Sequence, residues 1–285
     1  MNKLPKDFFA GRQLVIATKH GKEKVIGPLL KEALGVELIV PQDFDTDQFG
    51  TFSGEVERPV DPVEAARLKC KLACEQYNCS LAIASEGSFG PHPSLYFVPG
   101  DDEIVVMIDN ANKLEFKARS ISTKTNFSGD LFTSWREAEK FAQMVSFPSH
   151  GLIIRNKKEG YEGLVKGVST WEELRLHFER FLRDYGQVFL ETDMRAMHNP
   201  TRMTVIEEAT MKLIEHILKT CPNCTTPGFE IVKVKSGLPC SQCNMPTRST
   251  KAYIYSCQKC NYQQEELYPK GKKTEDPMYC DWCNP

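Results

Sequence analysis

The sequence predicts an α/β protein, a mixed sheet flanked by helices and followed by a small C-terminal module built on cysteines. Three observations predict it. Apolar, β-branched runs of strand length alternate with stretches of helical spacing through the first three quarters of the chain. Eight of the eleven cysteines form four CxxC pairs, all after Thr220. Of 285 residues, 41% are apolar and 26% charged, enough to bury one large core or two smaller ones. The organisation expected is an α/β core over residues 1–218, with a break near 130–150 that would make two lobes, and a module over 219–285.

The elements follow in order. Gln13 to Thr18 (QLVIAT) reads as a strand and KHGKEK as a polar turn. VIGPLLKEAL is a helix, apolar at Val25, Ile26, Leu29, Leu30 and Leu34, with Gly35 as its stop. Val36 to Val40 is the next strand, and Pro41 opens a long loop dense in Asp, Gly and Pro. Asp61 is a good N-cap with Pro62 at the first helical position, so Val63 to Tyr77 is a helix. Cys70, Cys74 and Cys79 lie on or just after it as packing residues. Ser80 to Ala84 is a buried strand ending in the exit SEGSFGPHP. Glu103 to Asp109 is a strand, and Glu115 to Ser120 pairs with it. Trp135 to Ser146 reads as a helix, HGLIIRN and EGLVKGV as strands, Thr170 to Tyr185 as a helix capped by Ser169 or Thr170, and Gly186 to Leu190 as a strand. Asn199 then caps a helix with Pro200 first, running through Ile206, Ala209, Leu213, Ile214 and Ile217.

With 36 basic and 38 acidic residues the chain is nearly neutral, which argues against a protein whose main work is coating nucleic acid. The start has no long apolar segment, and LVIA, LIV and IVVMI fall far short of the roughly 20 residues of a membrane span. A cytoplasmic protein is expected.

The four pairs are Cys221 with Cys224, Cys240 with Cys243, Cys257 with Cys260, and Cys280 with Cys283. A CxxC turn places two thiolates on one side of a tight knuckle, and two knuckles make the tetrahedral sulfur cage zinc prefers. Eight cysteines thus supply two closed structural zinc sites of zinc-ribbon type. Pro222, Pro227, Gly228, Gly237, Pro239 and Pro246 suit the knuckle turns. Loop-closure entropy modestly favours sequential pairing across the short strands FEIVKVK and YQQEELY; crossed and nested arrangements stay open. From Lys219 onward there are nine Lys and Arg against six Asp and Glu, and before it 27 against 32. A mildly basic module could touch RNA; a plain structural cap is the commoner use of closed all-cysteine sites.

In α/β sheets ligands gather at loops leaving the carboxyl ends of strands. Two such exits, ATKHGK and ASEGSFGPHP, carry polar residues. Backbone amides at a helix N-terminus with Lys19, Lys22 and Lys24 nearby would suit a phosphate. A third exit, ETDMRAMHNPTRM, holds Glu191, Asp193, Arg195, His198 and Arg202. Its charges read either as a structural ion-pair network or as one wall of an anion pocket. In the second reading Glu191 and Asp193 orient a cation, Arg195, His198 and Arg202 contact the anion, and His150 and Lys166 join them.

The first 130 residues resemble the house-cleaning nucleotide pyrophosphatases of the inosine triphosphate pyrophosphatase type. Thr18, Lys19 and His20 stand in the opening motif, Thr51 and Phe52 match a loop, EAARLKCKLA fits the following helix at Glu64, Ala66 and Lys69, and Glu86 and Gly87 occupy an acidic, glycine-containing turn. His20 and Ala65 replace asparagines of the family pattern, and Lys22 comes one residue early. The resemblance implies Mg²⁺- or Mn²⁺-dependent attack of water on a nucleoside triphosphate. Carboxylates at Glu64 and Glu86 would hold the cation, with Thr18, Lys19, His20, Lys22, Lys69 and Ser88 toward phosphate. ATKHGKE, ASEGSFGPHP, ETDMRAMHNPTRM and the CPNC, GLPCSQC and CNP tail also resemble an uncharacterised bacterial family known only as a domain of unknown function, which implies no activity. Two function classes stand: a metal-dependent phosphohydrolase acting on a nucleotide, and a non-enzymatic zinc-ribbon protein that binds RNA or another macromolecule.

Overall fold

The computed structural model describes residues 5–42, 44, 61–158 and 163–285. In chain order its elements begin α1 (Pro5–Phe9), β1 (Gln13–Ile16), α2 (Glu23–Leu34), β2 (Glu37–Ile39), α3 (Pro62–Gln76), β3 (Leu81–Pro91), β4 (Pro99–Asp109) and β5 (Leu114–Ser122). They continue with β6 (Gly129–Phe132), α4 (Trp135–Met144), β7 (Leu152–Arg155), β8 (Val165–Val168), α5 (Trp171–Tyr185), β9 (Val188–Thr192), α6 (Pro200–Leu218), β10 (Glu230–Ser236), β11 (Thr250–Ser256) and β12 (Gln263–Leu267). The chain forms two compact units, Gly11–Leu213 and a second made of the segment up to Ala10 with Ile214–Pro285. Among the described residues no helix is long and apolar enough to cross a membrane.

The larger unit is mixed α/β, as the alternating pattern predicts. Its first sheet has the order β2-β1-β3-β4-β5. β1 runs parallel to β2 and β3, whereas β4 and β5 are antiparallel additions. Local chemistry sets the helices. Gly35, at φ +66°, closes α2 by donating its N–H to the Lys31 carbonyl, and Asp61 opens α3 by accepting from the Val63 and Glu64 amides. The period of two in the strands splits the buried residues by face. Val15, Ala17, Ala82, Ala84, Ile104, Val106 and Ile108 pack on Ala66, Cys70, Ala73 and Cys74 of α3. Leu14, Ile16, Leu81, Ile83, Val105 and Met107, also buried, point to the opposite face. α2 lies there: a Cβ on its Gly27 would stand 3.3 Å from Ile16 Cδ1.

Two expectations about this sheet need correction. The stretch SEGSFGP is not a loop leaving the sheet, because β3 runs on through it to Pro91. The expected acidic turn at Glu86 and Gly87 is therefore mid-strand, and β4 starts at Pro99. The register is unbroken from Leu81 opposite Asp109 to Pro91 opposite Pro99. Each polar residue of that stretch finds a partner on β4, so pairing overrides a turn-like composition.

A second sheet, ordered β6-β9-β7-β8, carries α4 and α5. Phe132, Phe141, Leu152, Ile154, Leu174, Phe178, Phe181 and Leu190 form its core. The sequence pattern missed β6: GDLF is too short and polar to stand out, and its ladder is made by β9.

At the far end of the first sheet Arg12 donates from Nη1 and Nη2 to the two carboxylate oxygens of buried Asp109, at 2.8 and 2.7 Å. Asn112 adds its backbone and side-chain N–H groups. Burial alone would raise the Asp109 pKa, but these donors outweigh it and hold the carboxyl below its ordinary value. The pair's stabilisation is then full above the unfolded-state pKa, about 3.9, and is lost as pH falls through the lower folded one. The gap in Tm between the wild type and Asp109→Asn should be widest near neutral pH and narrow below about pH 4. A gap independent of pH would refute this account of the pair.

In the smaller unit β10, β11 and β12 form an antiparallel sheet. The outer strands are the two expected from FEIVKVK and YQQEELY. The central strand was not anticipated, although Ala252 and Ile254 alternate inward on it.

Candidate metal centres and a buried charged cluster

The four knuckles share one backbone design. The amide four residues after the first cysteine donates to that cysteine's carbonyl: Thr225 to Cys221, Asn244 to Cys240, Asn261 to Cys257 and Asn284 to Cys280, at 2.8 to 3.1 Å. Thr225, Asn244 and Asn261 are left-handed, with φ of 59°, 58° and 58°; Asn is one of the few residues that adopts that conformation readily. Amides of Gln242 and Lys259 point at the sulfurs of Cys240 and Cys257, each at 3.4 Å.

The knuckles pair first with third and second with fourth. Cys221, Cys224, Cys257 and Cys260 make one quartet and Cys240, Cys243, Cys280 and Cys283 the other, with all sulfurs of a quartet within 4.8 Å of one another. This corrects the sequential pairing that loop closure favours. Closing a loop of twice the length costs only about 0.6 kcal/mol more, less than the sheet supplies by bringing the ends together: β10 and β11 lead out of and into the first quartet's knuckles. Sulfur separations are 3.7 Å for Cys221–Cys260, 3.6 Å for Cys224–Cys257, 3.9 Å for Cys240–Cys283 and 3.6 Å for Cys243–Cys280. A tetrahedron with Zn–S bonds of about 2.3 Å has edges of about 3.8 Å. The eight thiols are therefore compatible with two structural zinc ions.

The second cluster lies where β1 and β3 approach α2. His20 and Gly21, with φ of 68° and 77°, turn the chain into that helix. Lys22 is buried and donates from Nζ to Ser85 Oγ at 2.9 Å and to the Ser85 carbonyl at 3.2 Å. Burial and the nearby Arg202 charge push its pKa down to about 8, while Glu103 and Glu86 act the other way. The buried Thr18 hydroxyl has no hydrogen-bond partner among the described residues. On the α3 side, Lys69 pairs with Glu86, both buried. On the α2 side, Arg202 at the start of α6 donates from Nε to Glu103 Oε1 at 2.6 Å and from Nη1 to the Met194 carbonyl at 2.5 Å, and its guanidinium lies over the Phe89 ring. Neither Arg202 nor Glu103 has any exposed side-chain surface. Asp101, two residues from Glu103 on the same face of β4, is equally buried; burial first and Glu103 second push its pKa up to about 8.

Of the residues the sequence singled out, Lys22, Lys69, Glu86 and Arg202 come together here. Asp101, Glu103 and Ser85 were missed, and a signal existed: Asp101 and Glu103 interrupt the inward face of an otherwise apolar strand. Glu64 is elsewhere, half-exposed and paired with Arg67, which also binds Glu115. Ser88 lines a small surface cavity with Phe89, Gly90 and Asp102. Thr51 and Phe52 lie outside the described residues.

The segment ETDMRAMHNPTRM is divided among separate partners. Glu191 takes Arg155. Asp193 takes Arg195 and the Gly167 amide, the latter at 3.1 Å. The His198 carbonyl accepts from the Gly151 amide, and its ring packs so closely on Gly167 that a Cβ there would stand 2.9 Å from Nε2. His150 sits between the hydroxyls of Ser149 and Thr201. Of the charged residues of this segment Arg202 enters the cluster around Glu103, with the Met194 carbonyl accepting from it. The density of charge is thus an ion-pair network over most of its length.

Gly87 faces Glu103 across the β3–β4 ladder. A Cβ there would lie 2.6 Å from Arg202 Nη2 and nearer still to the Glu103 carboxylate. Gly87→Ala should cost about 1–3 kcal/mol by overpacking, read as a lower urea midpoint; an unchanged midpoint would mean the pair is not seated as described.

A family model described as Domain of unknown function (DUF6671) matches residues 69–285. No curated protein matches the chain significantly. Among solved structures, the chain is similar to the crystal structure of protein VC0702 from Vibrio cholerae, at 11% identity and a TM-score of 0.32, over 72% of this chain and 94% of that one.

Proposed function

Because the chain belongs to the DUF6671 family, whose description assigns no activity, we propose a function from its own chemistry: a metal-dependent phosphohydrolase acting on a nucleotide or a nucleotide-like phosphate ester. The observation that carries this reading is the buried cluster of Lys22, Lys69 and Arg202 with Glu86, Asp101 and Glu103 at the carboxyl end of β1, beside the middle of β3. That end of an α/β sheet is where ligands bind. The resemblance of Thr18, Lys19 and His20, and of EAARLKCKLA, to the motifs of nucleotide pyrophosphatases supports the same reading. The α2 N-terminus, the Thr18 hydroxyl and Lys22 face an anion, with Lys19 and His20 in the same turn. Lys69 and Glu86 hold each other in place on the opposite face.

Mg²⁺ or Mn²⁺, when bound, offsets phosphate charge and lowers the pKa of a coordinated water. The donor chemistry fits, since such ions take carboxylate oxygens and keep several waters. Among the described residues only the cysteine quartets bring three candidate ligand atoms within 4.8 Å, so two protein carboxylates with substrate phosphates complete the set.

The test is pyrophosphate and phosphate release from a panel of canonical and modified nucleoside triphosphates with Mg²⁺ or Mn²⁺. Release by the wild type should fall about a hundredfold or more in Lys22→Met and Glu86→Gln. No release by the wild type, or undiminished release by both variants, removes the reading.

A second reading, RNA binding through the zinc module, is favoured by the exposure of Met278, Tyr279 and Trp282 beside Cys280 and Cys283. Exposed aromatics stack on unpaired bases. Filter binding to single-stranded RNA should weaken steeply with salt and with Trp282→Ala.

A further inference from the structure

Helices α4 and α5 frame a solvent-open cleft of about 450 Å³ that the phosphohydrolase reading does not use. Trp135 and Glu139 line it from α4, one turn apart. Trp171, Arg175 and Glu179 line it from α5 at the same spacing of four, with Glu172 and Leu176 beside them. Both indoles are half-buried and held from behind. Trp135 stands edge-on to Phe178, 5.5 Å between ring centres, and Trp171 edge-on to Phe147 at 4.8 Å. The two tryptophans pack against the core of the second sheet, so these walls are in place before any ligand arrives. The rest of the lining is mostly ionic, three carboxylates against one guanidinium. Arg175 donates from Nε to Glu179 Oε1 at 2.8 Å, which leaves Glu139 and Glu172 without an ion pair among the described residues. Its Cζ lies 5.2 Å from the centre of the Trp135 ring. The chain's own guanidinium thus shows which group this wall accepts, through the attraction of a cation to the negative face of an indole. It is a loose occupant. The Arg175 and Glu179 side chains are each 59% exposed, and an ion pair that open to water contributes little.

We propose that this cleft binds an arginine side chain carried by a basic segment of a partner protein. Two observations choose the occupant. The lining holds unmatched negative charge at Glu139 and Glu172, which attracts a cation and repels a phosphate. The flat indole walls favour guanidinium over ammonium, because guanidinium is weakly hydrated, stacks on aromatic faces and bonds carboxylates through its planar N–H fork. Arg175 is then a built-in competitor that the incoming arginine displaces from Trp135. The cleft shares no residue with the buried cluster around Lys22, so it stands or falls apart from the phosphohydrolase reading.

The chain has three tryptophans, and Trp282 lies in the other compact unit, so the indole N–H signals of the full-length, zinc-loaded protein in a nitrogen–proton NMR spectrum report on the cleft separately. The probe is a blocked peptide of alternating glycine and arginine, set against the same peptide with lysine for arginine. The Trp135 and Trp171 signals should move on titration with the arginine peptide, and that of Trp282 should not. The lysine peptide should bind about fivefold more weakly or worse. Glu139→Gln with Glu172→Gln should weaken binding of the arginine peptide about tenfold or more, since charge-assisted bonds are lost. Both glutamates are on the surface of their helices, so this double variant should keep the wild-type circular dichroism. Arg175→Ala should strengthen binding, the reverse of what loss of a merely structural contact would do. Unmoved Trp135 and Trp171 signals, equal binding of the lysine peptide, unchanged binding by the folded double variant, or weaker binding by Arg175→Ala overturns the proposal. Free arginine that binds as tightly as the peptide also overturns it, because the ligand is then a small molecule and not a partner's side chain.

Discussion

Replacing Cys257 with serine is expected to release the same zinc ion as replacing Cys221, although the two lie in different knuckles separated by the second CxxC pair. The crossed quartets make this a counting experiment. Each single variant should hold one zinc per chain instead of two. Cys221→Ser with Cys257→Ser should still hold one, because both changes fall on the first quartet. Cys221→Ser with Cys240→Ser should hold none, because each quartet loses a ligand. Sequential pairing would give the opposite result for the two doubles, so metal analysis after desalting decides between them. Removing both ions with a chelator should have a still larger effect. A structural zinc contributes roughly 10–16 kcal/mol in small metal-folded domains. The cluster beneath the first quartet is small, built on Phe229 and Tyr255 with the cysteines themselves, and β10 and β12 are almost wholly exposed. Chelation should therefore abolish the sheet signal of β10, β11 and β12 in hydrogen exchange. Survival of that signal without metal would show that the module folds on its own core.

The second large effect is expected at Arg202. Arg202→Met would leave Glu103 buried without its partner, and breaking a buried pair from one side costs about 3–5 kcal/mol. For a unit of this size each kcal/mol shifts Tm by roughly 2–4 °C, so a drop of roughly 6–20 °C should appear in a thermal melt. Glu103→Leu in the same chain should restore much of the loss, since replacing both ions by apolar groups avoids the stranded charge. A double variant no more stable than Arg202→Met would place the cost in the lost contacts to the Met194 carbonyl and Phe89 instead.

The sequence made the helices and most strands legible because their signals are local. Asp61, Thr170 and Gly35 act on their own helix ends, and each caps where the pattern says it should. The cysteine ligands were legible for the same reason, since a knuckle is four residues long. Their pairing was not, because it depends on β11 joining chain segments that the CxxC spacing does not mention. The same limit explains the charged cluster. Lys22, Lys69 and Glu86 stood out near strand exits, but Arg202 meets Glu103 from 99 positions away. The polar run of β3 looked like a turn until β4 was laid beside it. Glu103 opens the expected strand Glu103 to Asp109 and Asp101 precedes it, and no local signal shows that the sheet buries both completely.

The interleaving of the knuckles also orders events during synthesis. A ribosome that has delivered Cys221, Cys224, Cys240 and Cys243 has delivered half of each cage and the whole of neither. The first cage is complete only once Cys260 emerges and the second only once Cys283 does, so the nascent segment carries two half-built cages up to Cys257 and one until its last residues are made. Loading must then follow elongation, and a truncation between Cys243 and Cys257 would yield two half-sites that hold metal loosely instead of one finished site.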